Sequence, residues 1–204
     1  NPLCHIFTES DKVFSTELTT ENGHYQQQVS TASETASRSF FCINPVRGKR
    51  RRKDELANYR NFLFESDTMP LSDQFLLSEK LKESGLISMA TYSGGKSIHF
   101  IISCLDTLNF GEPGSDEATN AYHRTWQGLK SILEKFGLTD VDPSGKNPAT
   151  LSRMPGHMRG DKKQDLLFLG PLQTAEFLHS ITVPAKQKEI SPLSHVNSVS
   201  ELEQ

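Results

Sequence analysis

Short apolar runs closed by glycine or proline alternate with helix-like segments along the middle of the chain. Four runs have the length and composition of strands: residues 39–43, 59–64, 98–104 and 166–169. Asn44-Pro45 ends the first run, and Gly170-Pro171 ends the last. Strands of this kind need other elements packed against them, so the pattern predicts an α+β or α/β sheet domain and excludes a helical bundle.

Two segments have the three-to-four-residue apolar spacing of a helix. Residues 70–84 carry Leu71, Phe75, Leu76 and Leu81, and Gly85 is predicted to close this helix. The clearer helix is predicted over residues 119–136, with Gly137 at its C-terminal cap. Its predicted core face consists of Tyr122, Thr125, Trp126, Leu129, Ile132, Leu133 and Phe136.

Composition divides the 204 residues into a core and two flanking segments. Residues 39–183 are predicted to form the core, residues 1–38 an N-terminal segment packed on it, and residues 184–204 a polar tail or linker. The net charge of -3, from 22 Lys+Arg and 25 Asp+Glu, excludes a protein that coats nucleic acid with a generally basic surface. A polyanion-binding site must therefore be a local patch.

The chain contains no segment typical of membrane proteins or disulfide-rich secreted proteins. No apolar run approaches the roughly 18 residues that a membrane span needs, so no membrane partner is expected. The three cysteines, Cys4, Cys42 and Cys104, are far apart and form no C-x-x-C pair. We interpret them as reduced thiols of a cytoplasmic protein, with Cys42 and Cys104 in the core.

An acidic pair follows the second apolar run. Glu65 and Asp67 are two residues apart, so on a strand both carboxylates project from the same face. Two like charges held side by side repel each other unless a cation lies between them. Mg²⁺ often takes one or two carboxylates together with substrate phosphates. The alternative interpretation is a strand end in solvent, where acidic residues are common.

A glycine-rich turn leads into the third apolar run. In Ser93-Gly94-Gly95-Lys96-Ser97-Ile98-His99 the glycines let the backbone approach an anion, and Lys96 supplies a mobile positive charge. Ser97 and His99 alternate, so both can face one ligand. A P-loop is excluded because Ala90 stands where its first glycine belongs and because a strand pattern follows the serine. A surface turn with an exposed lysine is the other interpretation.

A third candidate segment lies further along the chain. Asp142 could supply another carboxylate, and Asp140, two residues earlier, is an alternative for that role. Arg153 and Arg159 could contact phosphate oxygens through their planar guanidinium groups. Taken alone, the Asp-Pro-Ser-Gly sequence at Asp142 is typical of a turn.

Together these segments resemble the archaeo-eukaryotic primase (AEP) superfamily, in its phage and plasmid primase–polymerase branch. That family has an acidic pair on a strand, then a Ser-x-His strand, then a single Asp on a later strand. The matching positions are Glu65 and Asp67, Ser97 and His99, and Asp142. The resemblance covers residues 39–169 and includes Ser-Arg-Met-Pro-Gly around Arg153; Glu65 stands where many relatives have Asp.

The resemblance implies both a fold and an activity. The fold would be α+β, with an RRM-like antiparallel or mixed sheet and flanking helices. The activity would be template-directed nucleotidyl transfer by a DNA primase or primase–polymerase that makes primers for DNA replication. Expected partners are a single-stranded DNA template, nucleoside triphosphates and a replicative helicase, in cis or in trans. The location would be the cytoplasm, that of the host if the protein is phage-encoded.

It also implies roles for the site residues. The catalytic carboxylates would hold Mg²⁺ or Mn²⁺, and these are Glu65, Asp67 and Asp142. The nucleotide-binding residues would be Lys96, Ser97, His99 and Arg153, with Arg159 as a weaker member. Two alternatives remain open: a non-catalytic module that binds single-stranded nucleic acid, and a nuclease or other phosphoryl transferase using the same carboxylates. Mere binding does not need three acids and a Ser-x-His strand.

A basic run precedes the acidic pair. It contains Arg47, Lys49, Arg50, Arg51, Arg52 and Lys53. In a slightly acidic chain such a run is a candidate contact for the template phosphates. A solvated loop explains the same run equally well.

Overall fold

The computed structural model describes residues 5–7, 16–21, 24–27, 40–47 and 51–182. The strands in this part of the chain are β1 (His5–Phe7), β2 (Thr16–Glu21), β3 (His24–Gln27), β4 (Phe40–Cys42), β5 (Asn61–Phe64), β6 (Met89–Tyr92), β7 (Ile98–Ser103), β8 (Leu151–Arg153), β9 (Met158–Arg159), β10 (Lys162–Lys163) and β11 (Asp165–Leu169). The helices are α1 (Leu71–Ser84), α2 (Asp116–Phe136) and α3 (Ala175–Ser180), with 3₁₀ turns at Lys53–Glu55 and Pro143–Lys146.

Four antiparallel strands form the central sheet in the order β11-β6-β7-β5. Phe64 of β5 pairs with Phe100 of β7, and Thr91 of β6 pairs with His99. Because side chains alternate along a strand, the aromatic and polar residues of β7 project from opposite faces of the sheet. The predicted α+β class, an antiparallel sheet flanked by helices, is confirmed.

Helix α2 packs its predicted face on one side of this sheet. Tyr122 stacks on Phe62 with ring centroids 4.6 Å apart, and Trp126 stacks on Phe64 at 5.4 Å. The helix begins three residues before the predicted start, because the side chain of Ser115 caps it. Of the predicted face, Tyr122, Thr125, Trp126, Leu129 and Leu133 are buried, Ile132 is half-buried and Phe136 is 36% exposed.

Helix α1 and its C-terminal glycine are confirmed, but two of the apolar residues that indicated the helix lie on the surface. Phe75 is 39% exposed and Leu76 is 67% exposed. The buried residues are Gln74, Leu77, Ser78 and Leu81, which have the regular spacing of a single helix face. The apolar spacing therefore marks the helix, but it does not mark the amide of Gln74 as part of the buried face.

A second antiparallel sheet has the order β3-β2-β1-β4-β8. It meets the central sheet through a small apolar cluster in which Ile43 contacts Leu63 and Ile101. The N-terminal strands join it through β1, which pairs with β4. The division into three segments stays a prediction, and residues 184–204 lie outside the described residues. Among the described helices, none has the length and hydrophobicity for crossing a membrane.

Asn44 connects the two sheets through a buried amide. Its Nδ2 donates to the carbonyl oxygens of Asn61 and Pro148, both at 3.0 Å. Its Oδ1 accepts from the backbone N–H groups of Arg60 at 2.8 Å and Asn61 at 2.9 Å. The side chain therefore joins the end of β4 to the start of β5 and to the loop before β8.

We expect Asn44→Ala to lower the free energy of unfolding by at least about 2 kcal/mol, because a buried polar group left without a partner costs about 1–3 kcal/mol. Urea unfolding followed by circular dichroism measures the change. Asn120→Ala, at an exposed position of α2, is the control and should change stability by less than about 0.5 kcal/mol. Equal stability of the two variants would contradict a linking role for Asn44.

Candidate active site

Glu65 meets the Ser-x-His strand at the end of the central sheet. It follows β5 directly, and the β5–β7 register brings it opposite His99. Its Oε2 lies 2.9 Å from Nε2 of His99 and accepts a hydrogen bond from Oγ of Ser97 at 2.7 Å. Only 14% of the Glu65 side chain and 6% of the His99 side chain are exposed. The structure thus brings together three of the predicted site residues.

These contacts set the ionisation of Glu65. Burial by itself would raise the pKa of its carboxyl group. The hydrogen bond and positive potential of His99, the hydrogen bond of Ser97 and the charge of Arg153 outweigh burial, and they hold the pKa below its ordinary value of 4.5. Glu65 is therefore a carboxylate at neutral pH.

His99 is oriented from its other side by β8. Its Nδ1 lies 3.0 Å from Oγ of the buried Ser152 and accepts from the backbone N–H of Arg153 at 3.4 Å. These contacts orient the ring so that Nε2 faces the Glu65 carboxylate. Ser152 was not among the predicted site residues. Its position next to Arg153 in the sequence was the feature that could have indicated it.

Arg153 lies at the edge of this cluster. Its guanidinium carbon is 3.9 Å from the ring centroid of Phe40, its partner in the β4–β8 register. The guanidinium lies over the face of the ring, the geometry of a cation–π contact. Its charge also acts on Glu65. The predicted location of Arg153 near the acidic residue and the Ser-x-His strand therefore agrees with the geometry.

Asp142 is joined to Glu65 through the backbone. The N–H of Asp142 donates to the carbonyl oxygen of Glu65 at 2.8 Å. The side chain of Asp142 accepts from the N–H of Ser144 at 2.7 Å and caps the 3₁₀ turn that follows. Asp140 has a φ of 49° and accepts a hydrogen bond from the hydroxyl of Thr68 at 3.2 Å. Asp142 is thus joined to Glu65 itself, whereas Asp140 contacts Thr68, three residues after Glu65.

Oxygen donors suited to a hard cation are present at this end of the sheet. Glu65 and Asp142 are adjacent through their backbones, and Asp67 is exposed two residues after Glu65. Carboxylates of this kind fit Mg²⁺ or Mn²⁺ by donor chemistry. Within residues 40–47 and 51–182, no three His, Cys, Asp or Glu side chains form a metal-binding group. The metal site stays a prediction.

The glycine turn lies beside Glu65 and is held closed by two serines. The N–H of Ser93 donates to the carbonyl of Ser97 at 3.0 Å, and the N–H of Ser97 donates to Oγ of Ser93 at 3.3 Å. Gly94 has a φ of +70°, which favours glycine. Lys96 is exposed. The strand β6 before this turn and the strand β7 after it agree with the exclusion of a P-loop.

Arg159 reaches the same turn from the β9–β10 hairpin. A Cβ atom on Gly95 would overlap Nη1 of Arg159, so the guanidinium lies directly over this glycine. Only a residue without a side chain allows the arginine this close. Lys96 and Arg159 therefore bring two positive charges to one turn, and their predicted role in nucleotide binding stays a prediction.

The described residues of the basic run, Arg47 and 51–53, form ion pairs and a hydrogen bond at or near the surface. Three cations pair with acidic side chains: Arg47 with Glu112 at 3.6 Å, Arg52 with Asp54 at 2.9 Å, and Lys53 with Asp116 at 2.5 Å. Arg51 donates to the carbonyl of Ala149 at 3.2 Å. Lys49 and Arg50 lie outside the described residues. Exposed pairs are weak, so phosphates can still compete for these cations.

The geometry can be compared with a solved structure. The fold is similar to that of the AEP domain of the cyanophage S-2L primase–polymerase (PrimPol), with a TM-score of 0.54 and 13% sequence identity. The match covers 89% of this chain and 88% of that domain. The comparison thus supports an α+β fold of the kind seen in that domain. No family model matches it, and the search of curated proteins found no match.

Because the largely buried Glu65 carboxyl group has a lowered pKa, we expect the free energy of unfolding to depend on pH. Because folding lowers its pKa below 4.5, the ionised carboxylate stabilises the folded protein above that pH. This contribution is lost as the pH falls through the lower pKa of the folded state. We expect Glu65→Gln to be less stable than the wild type at pH 7 by about 1–2 kcal/mol, with the difference shrinking below pH 4.5.

Urea unfolding between pH 3 and pH 7 measures this difference, with Glu79→Gln on the exposed side of α1 as the matched control. The control should show no comparable gap that closes in acid. A gap for Glu65→Gln that stays constant across the range would show that the carboxylate is not linked to folding.

Proposed function

We propose that this chain is the catalytic domain of a primase–polymerase, a template-directed nucleotidyltransferase that makes primers for DNA replication. One observation supports this most strongly: Glu65 contacts both Ser97 and His99 at the point where the Gly-Gly-Lys turn lies under Arg159. An acid, a Ser-x-His pair and two cations thus meet at one end of an AEP-like sheet. The similar cyanophage domain supports the same class of activity.

In this proposal the cationic side chains bind the triphosphate. Lys96 is exposed at the turn, and Arg159 lies over Gly95, so both can reach an anion at the mouth of the site. Arg153 offers a planar group that can hold two phosphate oxygens at once. These charges would stabilise the departing pyrophosphate.

Ser97 and His99 have a second task in the free protein. Both donate to Glu65, so a bound phosphate must share these donors with the carboxylate or replace it as their acceptor. Ser152 keeps the His99 ring in the plane that faces Glu65. The ring therefore does not need to reorganise when it meets a ligand at the same position.

Glu65, Asp67 and Asp142 would hold Mg²⁺ or Mn²⁺ in the proposed enzyme. When bound, the ion would lower the pKa of the attacking 3′-hydroxyl and neutralise charge on the phosphoryl group. The protein contributes the placement of the acids, because the backbone bond from Asp142 to Glu65 keeps the two segments together. A replicative helicase partner and a cytoplasmic location remain part of the proposal.

The alternative function is a non-catalytic module that binds single-stranded nucleic acid. The observation in its favour is that Oε2 of Glu65 already has two internal partners, an arrangement that a structural role also explains. Such a module would bind single strands without metal-dependent incorporation of nucleotides.

The decisive measurement is primer synthesis on single-stranded DNA with all nucleotides and Mg²⁺ or Mn²⁺, with and without a supplied primer. We expect products from the wild type, and a loss of at least about 100-fold for Asp67→Ala and for His99→Ala, because each would remove an electrostatic contact to the reacting groups. Asp73→Ala on α1 removes an exposed carboxylate near the site and should retain activity. If the wild type makes no products even on a primed template, the nucleotidyltransferase is rejected and the non-catalytic binding module remains.

The basic run gives a separate prediction about the template. We expect Arg51→Ala with Arg52→Ala to weaken binding of single-stranded DNA and to reduce the slope of log affinity against log salt by about 1–2, since each phosphate contact contributes about one unit or less. Fluorescence anisotropy at several salt concentrations measures both values. Lys80→Ala with Lys82→Ala removes the same charge from exposed positions of α1. An unchanged slope for the first pair would remove the run from the template site.

A further inference from the structure

Gln74 is a buried amide on the face of α1 that packs against the sheet. It is fully buried and occupies a position between apolar neighbours, with Leu77 and Leu81 on the same helix face. A polar side chain in such a place is unfavourable unless its donors and acceptor are satisfied. Its partners therefore show what the amide does.

The amide reaches two separate turns of the candidate site. Nε2 lies within hydrogen-bonding distance of the carbonyl oxygens of Ser66 at 3.0 Å, Met69 at 2.8 Å and Lys96 at 3.1 Å. Oε1 accepts from the backbone N–H of Ile98 at 2.8 Å. Ser66 and Met69 bracket Asp67, and Lys96 and Ile98 bracket Ser97.

We propose that Gln74 is a positioning residue that holds the acidic turn and the Gly-Gly-Lys turn in a fixed relation. The inference rests on the proposed function for its catalytic consequence. Its hydrogen bonds within the described residues go to main-chain atoms of the two turns, so in this proposal it acts through Asp67 and Ser97 and not on substrate. Loss of the link would leave each turn intact but change the distance between the acid and the phosphate donors.

The amide of glutamine supplies both the donor and the acceptor that these contacts use. An ionised glutamate keeps the acceptor for Ile98 but cannot donate to the carbonyls of Ser66, Met69 and Lys96. Methionine has nearly the same length and fills the space, but it offers neither function. Comparing the two variants therefore separates the bonds to the acidic turn from the bond to the strand.

Gln173 provides a matched control at the other end of α1. Its Nε2 donates to the carbonyl oxygens of Gly85 at 2.8 Å and Leu86 at 3.1 Å. It therefore makes the same kind of side-chain-to-backbone link outside the candidate site. Gln173→Met removes a comparable structural contact without touching either turn.

The experiment compares wild type, Gln74→Met, Gln74→Glu and Gln173→Met in three measurements. These are thermal melting, hydrogen exchange of the Ile98 amide by NMR, and steady-state primer extension with kcat and KM for dATP and ATP determined separately. For Gln74→Met we expect faster exchange at Ile98 and a fall in kcat/KM of about ten- to hundred-fold, the range that small misplacements of reacting groups produce. Gln74→Glu should keep Ile98 protected and still lose activity.

Gln173→Met should lose less thermal stability than Gln74→Met, because Gln173 is half-buried and its side chain makes two such hydrogen bonds. Its kcat/KM should stay within about three-fold of the wild type. Equal losses of activity in Gln74→Met and Gln173→Met would overturn the positioning role. So would unchanged exchange at Ile98 in Gln74→Met. If Gln74→Met does not fold, Gln74→Glu is compared with Gln173→Met instead. Full activity of Gln74→Glu would then contradict the positioning role.

Failure of the proposed function is distinguishable from failure of this inference. A wild type without primer synthesis or extension would reject the nucleotidyltransferase, whereas Ile98 exchange would still report whether Gln74 holds the turn. Faster exchange in Gln74→Met but not in Gln173→Met supports the link in that case, and identical exchange in both rejects it.

Discussion

The buried contact between the Glu65 carboxylate and the His99 imidazole is the interaction on which the candidate site depends. A carboxylate removed from water is strongly unfavourable unless donors surround it, and Ser97 and His99 supply them. Ser152 then ties the same imidazole to the second sheet. At the opposite end of β5, Asn44 makes a comparable link. The strand is therefore held to its neighbours by buried polar groups at both ends, and Glu65 has little freedom to move.

Strand alternation separates the chemistry of the site from the packing beneath it. On one face of β5 and β7, Phe62, Phe64 and Phe100 belong to the large apolar core, and two of these rings stack on α2. On the other face, the Glu65–His99 pair follows the small cluster of Leu63 and Ile101. The aromatic layer resists deformation because interiors are closely packed. It gives the polar groups above it a rigid base, which a preorganised binding site requires.

The sequence predicted the elements that carry a strong local signal. The strand at Ile98–Ser103, the helix α2 and its capping glycine follow from apolar runs and turn residues. The strand β6 was missed because Met-Ala-Thr-Tyr is too short and mixed to stand out, although pairing on both sides makes it central. Gln74 was missed for a related reason: hydrophobicity marks a buried face only where that face is apolar. Both β6 and the burial of Gln74 depend on hydrogen bonds to residues far away in the sequence, which a local sequence pattern does not reveal.

The identities of the site residues were easier to predict than their partners. The sequence indicated that Ser97 and His99 face an anion, and in the structure the anion they face is Glu65. A phosphate group and the Glu65 carboxylate would compete for hydrogen bonds from Ser97 and His99. The two anions repel each other, so they can share these donors only if a positive charge lies nearby. Lys96, Arg153 and Arg159 lie where such charge is needed, around the site and not within the pair. The proposed enzyme would therefore bind its nucleotide by adding the cationic contacts of Arg153 and of the glycine turn to an acid that is already held.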